Sequence, residues 1–120
     1  MAKTPRARFS LEEVKRVIRL AAIGSKVSAR TAADYNLALP QAEQFIRNVI
    51  AGLEPDAFVE VSPQTYPGKA TFDADVYAVN HQEGACYIKF HIVDGRVIVL
   101  SCHIPKHPIK RIDGKIIGAS

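Results

Sequence analysis

Apolar residues recur at helical spacing in the first half of the chain and at alternating spacing in the second. Leu11, Val14, Val17, Ile18 and Ala21 lie three or four residues apart and mark one face of a helix. Ser10 with Glu13 is a capping box, in which hydroxyl and carboxylate each take an orphan backbone amide, and Gly24 ends the helix. Ser28 is the expected N-cap of a short second helix over Ala29–Tyr35, stopped by Asn36. Pro40 opens a third helix in its first turn, where a missing N–H costs nothing. Phe45, Ile46, Val49 and Ile50 form the buried stripe of that helix, and Gly52 closes it.

After Gly52 the period changes. Ala57–Val61 reads as a short strand. In Thr71–Val79, Phe72, Ala74, Val76 and Ala78 alternate against Asp73, Asp75, Tyr77 and Val79. Asn80–Gly84 is a turn cluster. Ala85–Ile92 and Arg96–His103 are the clearest strands, joined around Asp94-Gly95, and a weaker hairpin pattern surrounds Asp113-Gly114. Three helices followed by strands predict an α+β fold, with N-terminal helices packed on an antiparallel sheet. The expected organisation is a basic flexible arm at 1–9, a single domain at 10–104, and a basic C-terminal extension or extra hairpin at 105–120.

Two registers compete at the Asp94-Gly95 turn. A two-residue loop opposes Val93 to Arg96 and mixes both faces of the hairpin. A three-residue loop, with Gly95 left-handed, opposes Ile92 to Arg96. It gathers Cys86, Ile88, Phe90, Ile92, Ile98, Leu100 and Cys102 on one side. Because a one-residue slip flips every side chain, burial favours the three-residue loop. Cys86 then lies directly opposite Cys102, as a pair of buried reduced thiols. The other face carries Tyr87, Lys89, His91, Val97, Val99, Ser101 and His103, with Lys106 and His107 just beyond.

A phenol, a lysine and two imidazoles on one solvent-facing sheet are the parts needed to cut RNA. Histidine suits the proton transfers at the 2′-hydroxyl and the leaving 5′-oxygen. Lysine suits the phosphorane charge, and tyrosine can stack on a base or bond a phosphate. This chemistry needs no metal or other cofactor. Asp73 and Asp75 share a strand face but have no evident third ligand, and two cysteines are too few for a cysteine zinc site.

Composition narrows the class. The 120 residues are 48% apolar and carry a net charge of +4, which rules out wholesale disorder. No apolar stretch approaches the ~20 residues of a membrane helix, and the basic start lacks an apolar run, so the cytoplasm is the expected compartment. Charge is segregated: residues 1–30 carry +6, 31–85 carry −6 and 86–120 carry +4. Such a layout suits a protein that meets a polyanion on one surface and another partner elsewhere. The candidate phosphate contacts are Lys15, Arg16 and Arg19 on the first helix, and Lys106, Lys110 and Arg111 in the tail.

NVIAGLEPDAF (Asn48–Phe58), Thr65-Tyr66, DVY (Asp75–Tyr77), YIKFHIVDG (Tyr87–Gly95) and VIVLS (Val97–Ser101) resemble, in order and spacing, the MqsR toxins. The Leu11–Leu20 helix and Val27-Ser28-Ala29-Arg30-Thr31 look similar to that family's N-terminal helices. The resemblance implies a RelE-like α+β fold and a ribosome-independent, metal-free endoribonuclease that cuts mRNA. It also implies a cognate antitoxin that neutralises the toxin. It places the family's active-site tyrosine on Tyr87 and its C-terminal active-site lysine near His103. Its first active-site lysine falls on Glu60, a reversal of charge, and its glutamine near Asp73. On this reading Tyr87 and Lys89 contact the scissile region, His103 is the general acid, and Glu60 or His91 is the base. A non-catalytic basic module that binds RNA or protein is the alternative.

Overall fold

In the computed structural model, residues 6–82 and 84–118 are described. Helices α1 (Leu11–Val17), α2 (Ser25–Tyr35) and α3 (Leu39–Ala51) pack on one face of a five-stranded sheet. Its strands are β1 (Ala22–Ile23), β2 (Phe58–Gln64), β3 (Phe72–His81), β4 (Gly84–Val93) and β5 (Arg96–His103), in the order β1-β5-β4-β3-β2. A separate hairpin pairs β6 (Ile109–Lys110) with β7 (Ile116–Ile117). The fold is α+β with the N-terminal helices on the sheet, as the patterning predicts. The sheet is mixed, however: β1 runs parallel to β5, with Ala22 opposite Ile98 and Ile23 opposite Val99.

The helical stripes hold while two boundaries shift. Val14, Ile18 and Ala21 are buried, and Leu11 and Val17 pack against the same core. Ser10 Oγ accepts the Glu13 amide at 3.5 Å. The expected helix to Gly24 nevertheless gives way to a 3₁₀ turn over Ile18–Leu20 and then to β1. β5 offers this segment an edge to pair with, and such a non-local partner overrides local propensity. α2 begins after Gly24, four residues earlier than a Ser28 cap predicts. Ser28 instead lies inside the helix and donates to the Gly24 carbonyl at 2.9 Å. Asn36 takes the left-handed C-cap with φ 56°.

The β4–β5 register corrects the expected loop. Val93 opposes Arg96, Ile92 opposes Val97 and Phe90 opposes Val99. Asp94 (φ 51°) and Gly95 (φ 72°) are both left-handed, the signature of a two-residue type I′ turn, which aspartate tolerates and glycine favours. The ladder then shifts between Lys89 and Phe90: Lys89 opposes Ser101, Ile88 opposes Cys102 and Tyr87 opposes His103. Leu100 is the extra residue of this bulge. Near the turn Val97 and Val99 are therefore buried on the helix side, and Ile98 faces outward beside His91. Beyond the bulge Cys102 turns in while Ser101 and His103 turn out. Cys86 is not directly opposite Cys102, but the two buried sulfurs lie 3.4 Å apart.

Both ends of the described chain are fastened to the sheet. Asp75 is fully buried, and its carboxylate accepts the amides of Arg8 (2.7 Å) and Phe9 (2.9 Å). Burial raises its pKa above the ordinary aspartate value. Between those two values the native state holds more protons than the unfolded chain. The stability this carboxyl contributes is therefore greatest at low pH and falls as pH rises through the raised value. Asp75→Ala leaves both amides without their acceptor and is expected to cost about 1–3 kcal/mol. Trypsin should then cut after Arg8 several-fold faster. An unchanged digestion rate would show that Asp75 does not hold the arm. At the other end, Ile112 N–H donates to the Phe58 carbonyl and Ile117 is buried.

Candidate active site

β4 and β5 present Tyr87, Lys89, Ser101 and His103 on the sheet face away from the helices. Alternation within each strand, corrected by the bulge, puts all four on that side. The Tyr87 and His103 rings stack with centroids 5.0 Å apart and planes at 16°. His103 Nδ1 lies 2.9 Å from the Ile104 carbonyl oxygen, which can only accept, so Nδ1 carries the proton. That leaves Nε2 as the ring atom that takes up or releases a proton. Pro105, Lys106, His107 and Ile109 close the other side, and the resulting cleft has a volume of about 330 Å³.

The cleft's electrostatics follow from partial burial beside charge. Burial lowers the Lys89 pKa. The Tyr87 phenol is raised first by burial and second by the nearby Glu60 charge. Glu60 is exposed and shares a cross-strand row with Val76, Lys89 and Ser101, but it stands two strands from Lys89 and does not line the cleft. His91 is not brought to the cleft. It is only 8% exposed, its ring stacks on Phe72 at 4.2 Å, and burial lowers its pKa. With Asp73 it lines a separate groove near Arg8 and Phe9. Among the described residues no three His, Cys, Asp or Glu side chains are grouped to hold a metal ion.

The expected phosphate contacts divide. Lys106 lines the cleft and Lys110 is exposed nearby. The Arg111 guanidinium is already occupied: it pairs with Asp113 and Asp56 and donates to the Ala78 carbonyl. That makes it a fastener of the C-terminal hairpin rather than a free cation. Lys15, Arg16 and Arg19 belong to the helix layer, across the sheet from Tyr87 and His103. Two cations escaped the sequence reading. Lys26 and Arg30 on α2 line a groove of about 230 Å³ that shares Ser101 and His103 with the cleft. Thr31 fixes α2 there by donating to the Cys102 carbonyl at 2.6 Å, and Asp34 accepts the Ile104 amide at 3.0 Å. A basic i, i+4 pattern on α2 was visible, but its neighbour on the sheet was not.

A family model described as motility quorum-sensing regulator, toxin of MqsA, matches residues 6–103. The chain belongs to the MqsR toxin family. Membership makes it a toxin of a toxin–antitoxin system and implies an antitoxin partner. The match ends at His103, so the bend carrying Lys106 and His107, with β6 and β7, lies beyond the matched residues. No match is found among curated proteins. Among the described residues no helix is long and apolar enough to cross a membrane.

Proposed function

We propose that this MqsR-family chain is a metal-free, ribosome-independent endoribonuclease that cleaves mRNA by attack of a ribose 2′-hydroxyl and is silenced by a cognate antitoxin. The observation that carries the reading is the stacked Tyr87–His103 pair beside Lys89 in one open cleft. Protonated at Nε2, His103 delivers a proton to the departing 5′-oxygen. Lys89 stabilises the charge that builds on the phosphorane. Tyr87 holds a base or a phosphate oxygen, and Lys106 neutralises a flanking phosphate. Of the two bases the sequence offers, His91 is covered by Phe72 on the outward face, whereas Glu60 is exposed there.

Expression of the chain in cells tests this directly, with RNA 5′ ends mapped by primer extension. New ends at a recurring short sequence, together with growth arrest, are expected. Folded protein with unchanged RNA ends and unchanged growth would sink the nuclease reading. Salt-sensitive RNA binding without product would then favour a non-catalytic binding module.

A further inference from the structure

We propose that His107, on the bend between β5 and β6, is a second catalytic imidazole of the cleft and takes the proton from the attacking 2′-hydroxyl. The inference rests on the nuclease reading and puts a cleft residue in the place of Glu60, which does not line the cleft, as its base. One imidazole cannot accept and donate a proton in the same displacement, so a second group must stand across the phosphate from His103. His107 lines the same cleft as His103, from the bend that follows β5, and is exposed to solvent. Glu60 does not reach the lining, and His91 opens on another groove.

The bend is held in place rather than left loose. Pro105 is buried, and Gly118, with φ +81°, abuts it so closely that a Cβ there would lie 3.3 Å from the proline ring. Ile109 pairs with Ile117 on the far side of His107. The cleft wall is thus built from residues outside the matched family span, and it supplies a second imidazole beside that of His103.

The step balances as follows. The 2′-hydroxyl proton moves to the neutral His107 ring, and the 2′-oxygen forms a bond to phosphorus. The bond from phosphorus to the 5′-oxygen breaks, and His103 Nε2 gives its proton to that oxygen. The products are a 2′,3′-cyclic phosphate and a 5′-hydroxyl. Lys89 and Lys106 line the same cleft and supply positive charge for the non-bridging oxygens. The charged and titratable groups around the pair are Tyr87 and Lys89 from β4, Lys106 from the bend, and Lys26, Arg30 and Asp34 from α2.

The test uses the purified full chain and a synthetic RNA oligonucleotide carrying the mapped cleavage sequence, assayed from about pH 5 to about pH 9. Wild type should give a bell-shaped kcat profile. His107→Ala should lower kcat about 10²-fold and flatten the acidic limb. Its melting temperature, and its affinity for the same oligonucleotide with a 2′-deoxy sugar at the cleavage position, should not change. A wild-type acidic limb in His107→Ala overturns the proposal. So does loss of 2′-deoxy binding with that limb intact, which makes His107 a binding residue only. Loss of the limb in Glu60→Gln but not in His107→Ala assigns the base to Glu60 instead. Absence of cleavage by wild type is a different failure, because it removes the nuclease reading itself.

Discussion

His103→Ala is expected to lower kcat by about 10²–10⁴-fold while the protein keeps its melting temperature to within a few degrees. The asymmetry follows from where the ring sits. Its stabilising contacts are one stacking partner, Tyr87, and one hydrogen bond to the adjacent Ile104 carbonyl. A partly exposed aromatic pair of this kind contributes about 0.5–1.5 kcal/mol at most. Its chemical contribution is larger, because without Nε2 the 5′-oxygen leaves as an unprotonated alkoxide. His103→Lys separates charge from proton transfer. It keeps a cation facing the phosphate, but its ordinary pKa is about 10.4 against about 6.5 for histidine. That variant should retain part of the activity and carry the alkaline limb of the profile to higher pH. Single-turnover rates across pH measure both effects. Full activity in His103→Ala would remove this ring from the mechanism.

The polar face is legible in the sequence even though the turn that organises it differs from the one the burial pattern predicts. Strict alternation forced a choice between two registers, and the burial pattern pointed to the three-residue loop. The chain instead uses the two-residue turn that Asp94-Gly95 encodes and then inserts Leu100 as a bulge. The shift restores parity, so Tyr87, Lys89, Ser101 and His103 emerge together on either reading. The two readings part on the turn side of the bulge. There Val97 and Val99 go inward, Ile98 goes outward, and His91 is covered by Phe72. Nothing about Leu100 marks it locally, because a bulge is set by how two strands and their neighbours twist together.

Non-local pairing also explains the other differences. Arg111 looks like a phosphate contact until its carboxylate and carbonyl partners are brought to it by the fold. Asp75 looks like half of an exposed acidic pair with Asp73 until the N-terminal segment crosses behind it. Lys26 and Arg30 look like ordinary helix-surface charges until α2 lies along the last turn of β5. In each case the residue type was clear and a partner remote in sequence was not: Asp56 and Ala78 for Arg111, Arg8 and Phe9 for Asp75, and β5 for Lys26 and Arg30. The helix stripes needed no such partner to be read, since burial on one face is written at fixed spacing.

Phe90→Ala should be the most destabilising single change to the strand that carries the cleft, at about 3–5 kcal/mol. The ring is completely buried and stacks on Tyr77 with centroids 5.6 Å apart and planes at 5°. Tyr77 in turn meets Phe58 edge-on at 5.5 Å, so one truncation opens a hole beside two further rings. Those rings are themselves nearly inaccessible, which limits how far the site can collapse. The hole also borders the buried Asp75 and the Tyr77 phenol, whose pKa burial already raises. Typical domains are stable by about 5–15 kcal/mol, so this loss is a third or more of what many domains possess. Phe90 is also where the β4 ladder changes register, immediately after Lys89 of the cleft. Urea unfolding of Phe90→Ala measures the loss. At temperatures where the variant remains folded, cleavage should fall far less than in His103→Ala, because the outward face keeps every group it presents to RNA. A loss below about 1 kcal/mol, far under the range for a buried phenylalanine, would show that the core beneath the cleft is not packed around this ring.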